Sequence, residues 1–198
     1  MSRVRGMVFD LDGTLIDSAL DFDLIRQDME LPRGRPILET LAEVPEGPAK
    51  VRMRTILREH ELAGADRATL FPGVADMLSF LREEKIPTAI LTRNSRESTD
   101  RVLQRLGLLF DQVLTRDDAP PKPDPTGLIT ICQRWRLAPT VVPFFGDYRF
   151  DLEAGRAAGM PTVLYAPGEI PDYATLADHV LPCFTAFPTL WKQFHALV

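Results

Sequence analysis

The chain has two cysteines, Cys132 and Cys183, far apart and without the spacing of metal ligands. This argues against a disulfide-stapled scaffold or a thiolate metal centre; the expectation is two reduced thiols in a cytoplasmic protein. Its three histidines, His60, His179 and His195, form no pattern and are expected on the surface or in packing. No apolar run reaches the length of a bilayer span, and Met1 to Gly6 lack the apolar core of a secretory leader. Basic charge is in deficit: 23 Lys and Arg face 28 Asp and Glu, for a net charge of −5 and a pI near 5.3. That leaves no footprint for nucleic acid and argues against an anionic membrane surface. There is no Gly-x-x-x-x-Gly-Lys run and no Gly-x-Gly-x-x-Gly after a strand, which sets aside kinase-like nucleotide binders. Internal repeats and low-complexity segments are absent.

What is present is 198 residues of ordinary globular composition, 45% hydrophobic and 26% charged. That is enough for one well-filled domain with a small insertion. The stretch Met7-Val8-Phe9-Asp10-Leu11-Asp12-Gly13-Thr14-Leu15 stands out. It opens as a buried strand and closes on two aspartates one residue apart. A core strand has no structural use for two carboxylates at its end, and burying them unpaired is costly. A divalent cation and a reacting phosphate would account for both. By average residue usage, an Asp-x-Asp-Gly-Thr run arises in roughly a few of a thousand random chains of this length.

Taken in order, a first strand is expected over residues 4–10. Residues 18–70 carry helical patterns broken by Pro32, Pro36, Pro45 and Pro48, without a convincing strand. They read as an insertion of three or four short helices, with apolar stripes at Leu20, Leu24 and Ile25, at Ile37, Leu38 and Leu41, and at Val51, Met53, Ile56 and Leu57. After Phe71-Pro72-Gly73, strands and helices alternate. Helices are expected over 74–84, 94–106, 126–135, 150–158 and 186–197. Strands are expected over 87–92, 112–115, 141–145, 161–166 and 179–181. Asn94, with Glu97 three residues on, reads as an N-cap. Pro143 sits awkwardly inside its strand. The alternation predicts an α/β fold, a three-layer Rossmann-like core with a mostly parallel sheet. Core residues are 1–17 and 71–198, and the small all-helical cap of residues 18–70 is inserted after the first strand. Trp135 and Trp191 are expected to pack helices on the sheet.

In such a fold every strand points its C-terminal end at one edge, where ligands bind. The polar residues at these ends form one chemical set. The first strand ends in Asp10, the second in Thr92, Lys122 lies in the loop after the third, and the fourth ends in Gly146-Asp147 with Asp151 four residues on. Carboxylates are hard oxygen ligands suited to Mg²⁺. A lysine offsets phosphoryl charge, and Thr92 precedes a helix N-terminus where backbone N–H groups favour an anion. A carboxylate is ionised at neutral pH and needs no base to act as nucleophile.

In order and nearly from end to end, these motifs resemble the haloacid dehalogenase-like hydrolase superfamily, in its phosphatase branch with a small helical C1-type cap. The resemblance implies a Mg²⁺-dependent phosphatase of a small phosphorylated metabolite. Asp10 would attack phosphorus to form an aspartyl-phosphate, and Asp12 would protonate the leaving oxygen and later assist water. Thr92, Lys122 and Asn94 would hold the phosphoryl group. Asp10, Asp147, the backbone carbonyl of Asp12 and, directly or through water, Asp151 would hold the metal. The family often places Asn directly after the Thr of the second motif; here Arg93 intervenes, and either Arg93 or Asn94 faces the phosphate. A phosphonatase or phosphomutase of the same superfamily is the alternative reading, and Lys50, the only lysine of the insertion, is the residue a Schiff-base phosphonatase would need. A non-catalytic phosphate-sensing regulator is a further alternative, although no catalytic position is damaged. Lys50, Arg54 and Arg58 otherwise read as a solvated basic face. A small cap leaves the crevice open and predicts activity on several sugar or carboxylate phosphates. Partners are limited to the small-molecule substrate, with neither nucleic acid nor membrane; the sequence does not encode the oligomeric state, monomer or weak dimer.

Overall fold

The computed structural model describes residues 4–195. The chain opens with β1 (Met7–Phe9) and a short β2 (Ile16–Asp17), then enters three helices, α1 (Phe22–Asp28), α2 (Ile37–Glu43) and α3 (Pro48–Arg67). It returns through β3 (Thr69–Leu70). The alternating part follows as α4 (Val74–Glu83), β4 (Thr88–Leu91), α5 (Arg96–Leu106), β5 (Gln112–Leu114), α6 (Thr126–Trp135), β6 (Phe144–Gly146), α7 (Arg149–Ala157), β7 (Thr162–Tyr165), β8 (His179–Leu181) and α8 (Phe187–His195).

Six strands form one sheet in the order β5-β4-β1-β6-β7-β8, every pair parallel. The chain runs outward from β1 to one side, then crosses back to build the other, so the order reverses at β1, where α/β sheets bind ligands. Alternation along the strands sorts the core into two layers. Met7, Phe9, Ile90, Phe145 and Val163 face α4 and α8, meeting Met77, Leu81, Phe187 and Phe194. Val8, Ala89, Leu91 and Phe144 face the other way, onto Leu128 and Ile131 of α6 and Ala154 of α7. Covered on both faces, β1, β4, β6 and β7 are buried along their whole length. That is why they read as continuous apolar runs.

The structure differs from the sequence reading at several local points. The first strand is shorter than expected, because residues 4–6 do not pair as strand. Pro143 lies just before β6, after a 3₁₀ turn at Pro139–Val141. Its missing N–H is not needed there, and its carbonyl accepts from Val8 N at 3.0 Å. The cap of α5 is Ser95, whose hydroxyl accepts from Ser98 N; it is not Asn94, and Glu97 pairs with Arg58. The strands β2 and β3 pair antiparallel where the chain leaves for α1 and returns from α3, a two-residue ladder too short for any periodic signal. The third helix is 20 residues long. Ile25, Met29, Ile37, Met53 and Leu57 form a small separate core among these helices. Leu24 and Val51 are exposed, outside the stripes assigned to them. Trp135 packs by Gly6, just before β1, as expected, whereas the aromatic contacts of Trp191 are to helices, Phe80 of α4 and Phe187 of α8. Expectations for residues 1–3, and for a last helix beyond residue 195, lie outside the described residues.

Gly73 caps α4 in the left-handed region, at φ 86°. A Cβ there would sit 2.5 Å from the backbone nitrogen of Thr185. Left-handed strain and a backbone clash combine, so Gly73→Ala is expected to destabilise the fold by about 2–4 kcal/mol. Chemical denaturation checks this; a midpoint unchanged from that of the parent protein would contradict it.

Candidate active site

The strand order brings the ends of β1, β4 and β6 to one crevice of about 560 Å³, lined by all seven residues that the sequence singled out. Asp10 follows β1 directly, and its N–H donates to Phe145 O at 2.8 Å, which ties the end of β1 to β6. Lys122 is buried between two carboxylates, with Nζ 2.5 Å from Asp10 Oδ1 and 2.5 Å from Asp151 Oδ1. Asp151 sits in the first turn of α7, where its other oxygen accepts from Tyr148 N at 2.9 Å. Asp147 comes between β6 and α7, and Thr14 Oγ1 donates to it at 3.1 Å. Asp10, Asp147 and Asp151 each offer an oxygen within 4.8 Å of the others.

Two glycines make room for this gathering. At Gly13, φ 85°, a Cβ would stand 2.4 Å from Asp147 Oδ2. At Gly146 it would stand 2.2 Å from Asp151 Cβ. Asp12 is held apart from the trio. Its carboxylate accepts from Ser18 Oγ at 2.7 Å on both oxygens and from Ser18 N at 3.2 Å. Thr92 is buried at the end of β4, and its hydroxyl accepts from Asn94 N at 3.1 Å.

Burial pushes the carboxyl of Asp10 well above the usual range, against the opposing pull of Lys122. Burial, then the charge of Asp151, raises Asp147 to about 7. Burial also raises Asp12, against the hydrogen bonds from Ser18. Burial opposes the charge of Lys122, but Asp10 and Asp151 outweigh it and hold the ammonium above its ordinary value. The site thus gathers three carboxyl groups about one ammonium in a buried place, and Lys122 alone does not offset the cost of ionising them. Three hard oxygen donors converging on one point, with glycine cradles that seat them, fit a small divalent cation such as Mg²⁺.

On the basic face expected on α3, Arg54 and Arg58 are solvent-exposed as expected, each with an acidic partner, and Lys50 departs from it. Lys50 is buried and pairs with Glu46 at 2.9 Å, Arg54 pairs with Glu46 at 3.2 Å, and Arg58 with Glu97 at 2.5 Å. Arg93 pairs with Glu39 of α2 at 2.5 Å, and its guanidinium lies 5.2 Å from the centre of the Phe150 ring. His60 pairs with Asp28, while His179 and His195 pack on Phe194 and Trp191. Four residues escaped the sequence reading: Ser18, Thr14, Glu39 and Glu61, the last bound to Arg116 and Ser95. Only Thr14 carried a signal, as the fifth residue of the Asp-x-Asp-Gly-Thr run.

Between the ordinary Asp range and about 7, the folded metal-free protein holds more protons than the unfolded chain. Its stability therefore falls as pH rises through that window, by up to about 1.4 kcal/mol per pH unit for each proton retained. A cation needs these carboxylates ionised. The gain in Tm on adding Mg²⁺ is expected to be larger near pH ~8 than near pH ~5. Thermal melts at both values check this, and an equal gain at the two would contradict it.

Comparison with known proteins finds that the family model for haloacid dehalogenase-like hydrolases matches residues 23–165. The N-acetylmuramic acid 6-phosphate phosphatase of Pseudomonas putida is 30% identical over 190 residues, covering 85% of this chain and 85% of that protein. The phosphoglycolate phosphatase of Escherichia coli is 29% identical over 202 residues, covering 81% of this chain and 80% of its own. Among solved structures, a haloacid dehalogenase-like family hydrolase from Streptococcus pneumoniae superposes with a TM-score of 0.77 at 22% identity, over 96% of this chain and 100% of that one.

Proposed function

Because this chain belongs to the haloacid dehalogenase-like hydrolase family, we propose that it is a Mg²⁺-dependent phosphatase that hydrolyses a small phosphate monoester through an aspartyl-phosphate on Asp10. One observation carries the reading: Asp10 sits at the sheet edge beside Lys122 and within shared reach of Asp147 and Asp151, while a second carboxyl, Asp12, is held separately by Ser18. The relatives named above are named for two phosphate monoesters, N-acetylmuramic acid 6-phosphate and phosphoglycolate, each of which carries a carboxyl group.

In the first step an Asp10 oxygen bonds to phosphorus as the bond to the leaving oxygen breaks, and Asp12 gives that oxygen its proton. In the second step Asp12, now ionised, takes a proton from water as the water oxygen attacks phosphorus. The phosphorus–Asp10 bond breaks and phosphate departs. Burial raises the proton affinity of Asp12, which suits a group that must carry a proton and return it. Lys122 offsets charge on Asp10 and on the transferring group. The Thr92 hydroxyl and Asn94 are assigned to the phosphoryl oxygens. Mg²⁺ would be held by Asp10, Asp147, Asp151 and the backbone carbonyl of Asp12. When bound, it supplies the positive charge that lets a carboxylate meet a phosphate dianion.

We assign the cap to residues 18–70 and the core to residues 1–17 and 71–198, with closure of the cap excluding water from the first step. The phosphatase reading is favoured over the Schiff-base alternative because Lys50 is not among the crevice-lining residues and its ammonium pairs with Glu46 at 2.9 Å. No helix among the described residues is long and apolar enough to cross a membrane; a cytoplasmic location belongs to this proposal.

Asp10→Asn is expected to abolish phosphate release from a panel of phosphate esters, by on the order of 10³-fold or more. EDTA should do the same to the parent protein, with activity returning on Mg²⁺. Phosphate release that survives Asp10→Asn would overturn the mechanism.

A further inference from the structure

We propose that the crevice selects phosphate esters of neutral ring alcohols, such as sugars or phenols, over esters whose leaving group carries a second anionic group, and that the Arg93–Glu39 pair sets this preference. The inference rests on the phosphatase reading and names the substrate class of the same site. It is narrower than the mixture of sugar and carboxylate phosphates expected from an open cap.

The charges of the crevice carry the argument. Seven carboxylate side chains line it against three cations, Arg26, Arg93 and Lys122. None of the three is free. Lys122 is shared by Asp10 and Asp151. Arg26 donates to Asp23 at 2.8 Å and to the Arg35 carbonyl at 2.9 Å. Arg93 donates to Glu39 at 2.5 Å and to the Lys122 carbonyl at 3.4 Å, and it lies over the Phe150 ring. Arg93 directly follows Thr92, so its guanidinium is the cation nearest in sequence to the phosphoryl seat. A carboxylate on the leaving group would meet Glu39 already at that guanidinium. That would leave two carboxylates competing for one guanidinium in a half-buried place, the repulsive element that specificity requires.

The walls supply the attraction. Phe22 of α1 and Tyr148, just before α7, are 52% and 53% exposed, and both line the crevice. One comes from the inserted helices and one from the turn after β6 at the sheet edge. Large aromatic side chains left open toward a polar catalytic floor offer a surface that the apolar face of a ring covers well. A neutral ring alcohol uses these walls and adds no charge to a site already rich in carboxylates.

The test compares kcat/KM, with Mg²⁺, for phenyl phosphate and glucose 6-phosphate against phosphoglycolate and 3-phosphoglycerate. It uses the parent protein, Glu39→Gln, Phe22→Ala and Asp10→Asn, each checked for a cooperative thermal melt. The parent protein is expected to favour the neutral esters by about tenfold or more. Glu39→Gln frees the guanidinium of Arg93 and should shrink that ratio by about tenfold. Phe22→Ala should raise KM for the ring esters more than for the carboxylate esters. A parent protein that is faster on the carboxylate esters, or a ratio unmoved in folded Glu39→Gln, overturns the inference. If turnover disappears in Asp10→Asn but ignores leaving-group charge, the inference fails alone. If no ester is turned over by any form, the phosphatase reading fails and the inference falls with it.

Discussion

The ammonium of Lys122, buried between Asp10 and Asp151 at 2.5 Å from each, is the contact on which the rest of this site depends. A lone buried carboxylate would take up a proton, and a lone buried lysine would lose one. Here Lys122 opposes proton uptake at Asp10 without cancelling it, while Asp10 and Asp151 hold the ammonium charged. The compensation is deliberately incomplete, since Asp147 has a hydroxyl partner in Thr14 and an elevated proton affinity. The fold thus gathers carboxyl groups that a cation would ionise, and it does so with backbone as much as with side chains. Two glycines are absent volumes into which the acids fit.

The same logic explains what could be read from the chain without coordinates. A parallel sheet covered on both faces writes its strands as apolar runs, and the first polar residue after each run marks the working edge. Asp10, Thr92 and Asp147 were legible for that reason, and Lys122 because it lies in the loop after the third strand. Asp151 was legible by its spacing from Asp147. Contacts set by packing between distant segments were not. Nothing in the sequence ties Ser18 to Asp12 or Glu39 to Arg93, because those pairings depend on where α1 and α2 come to rest. The misassigned cap of α5 is a smaller case. Asn94 and Ser95 are both good capping residues, and the choice fell to Ser95, whose hydroxyl reaches Ser98 N. The backbone N–H of Asn94 is instead given to Thr92.

The inserted helices are not loosely attached. Their longest member, α3, lies along α5 with Asp66 paired to Arg101, Glu97 to Arg58, and the carbonyl of Ala65 to Arg105. The buried Glu61 ties the same helix to Arg116 and Ser95. Exposed pairs of this kind contribute little singly, but these are spread along one helix face and work with the small core around Ile25 and Leu57. Any movement over the crevice is therefore easier for α1 and α2, which lie farther from α5, than for α3.

The position of β1 at the centre of the sheet has a consequence for how the protein is made. The strand that precedes the proposed nucleophile is made before both its neighbours, β4 and β6; the partner of Asp10 lies 112 residues on at Lys122, and that of Thr14 133 residues on at Asp147. During synthesis this apolar ribbon has both hydrogen-bonding edges open and nothing to close them. Such a segment waits unpaired, and the charged pocket is complete only once Asp147 and Asp151 have followed it out.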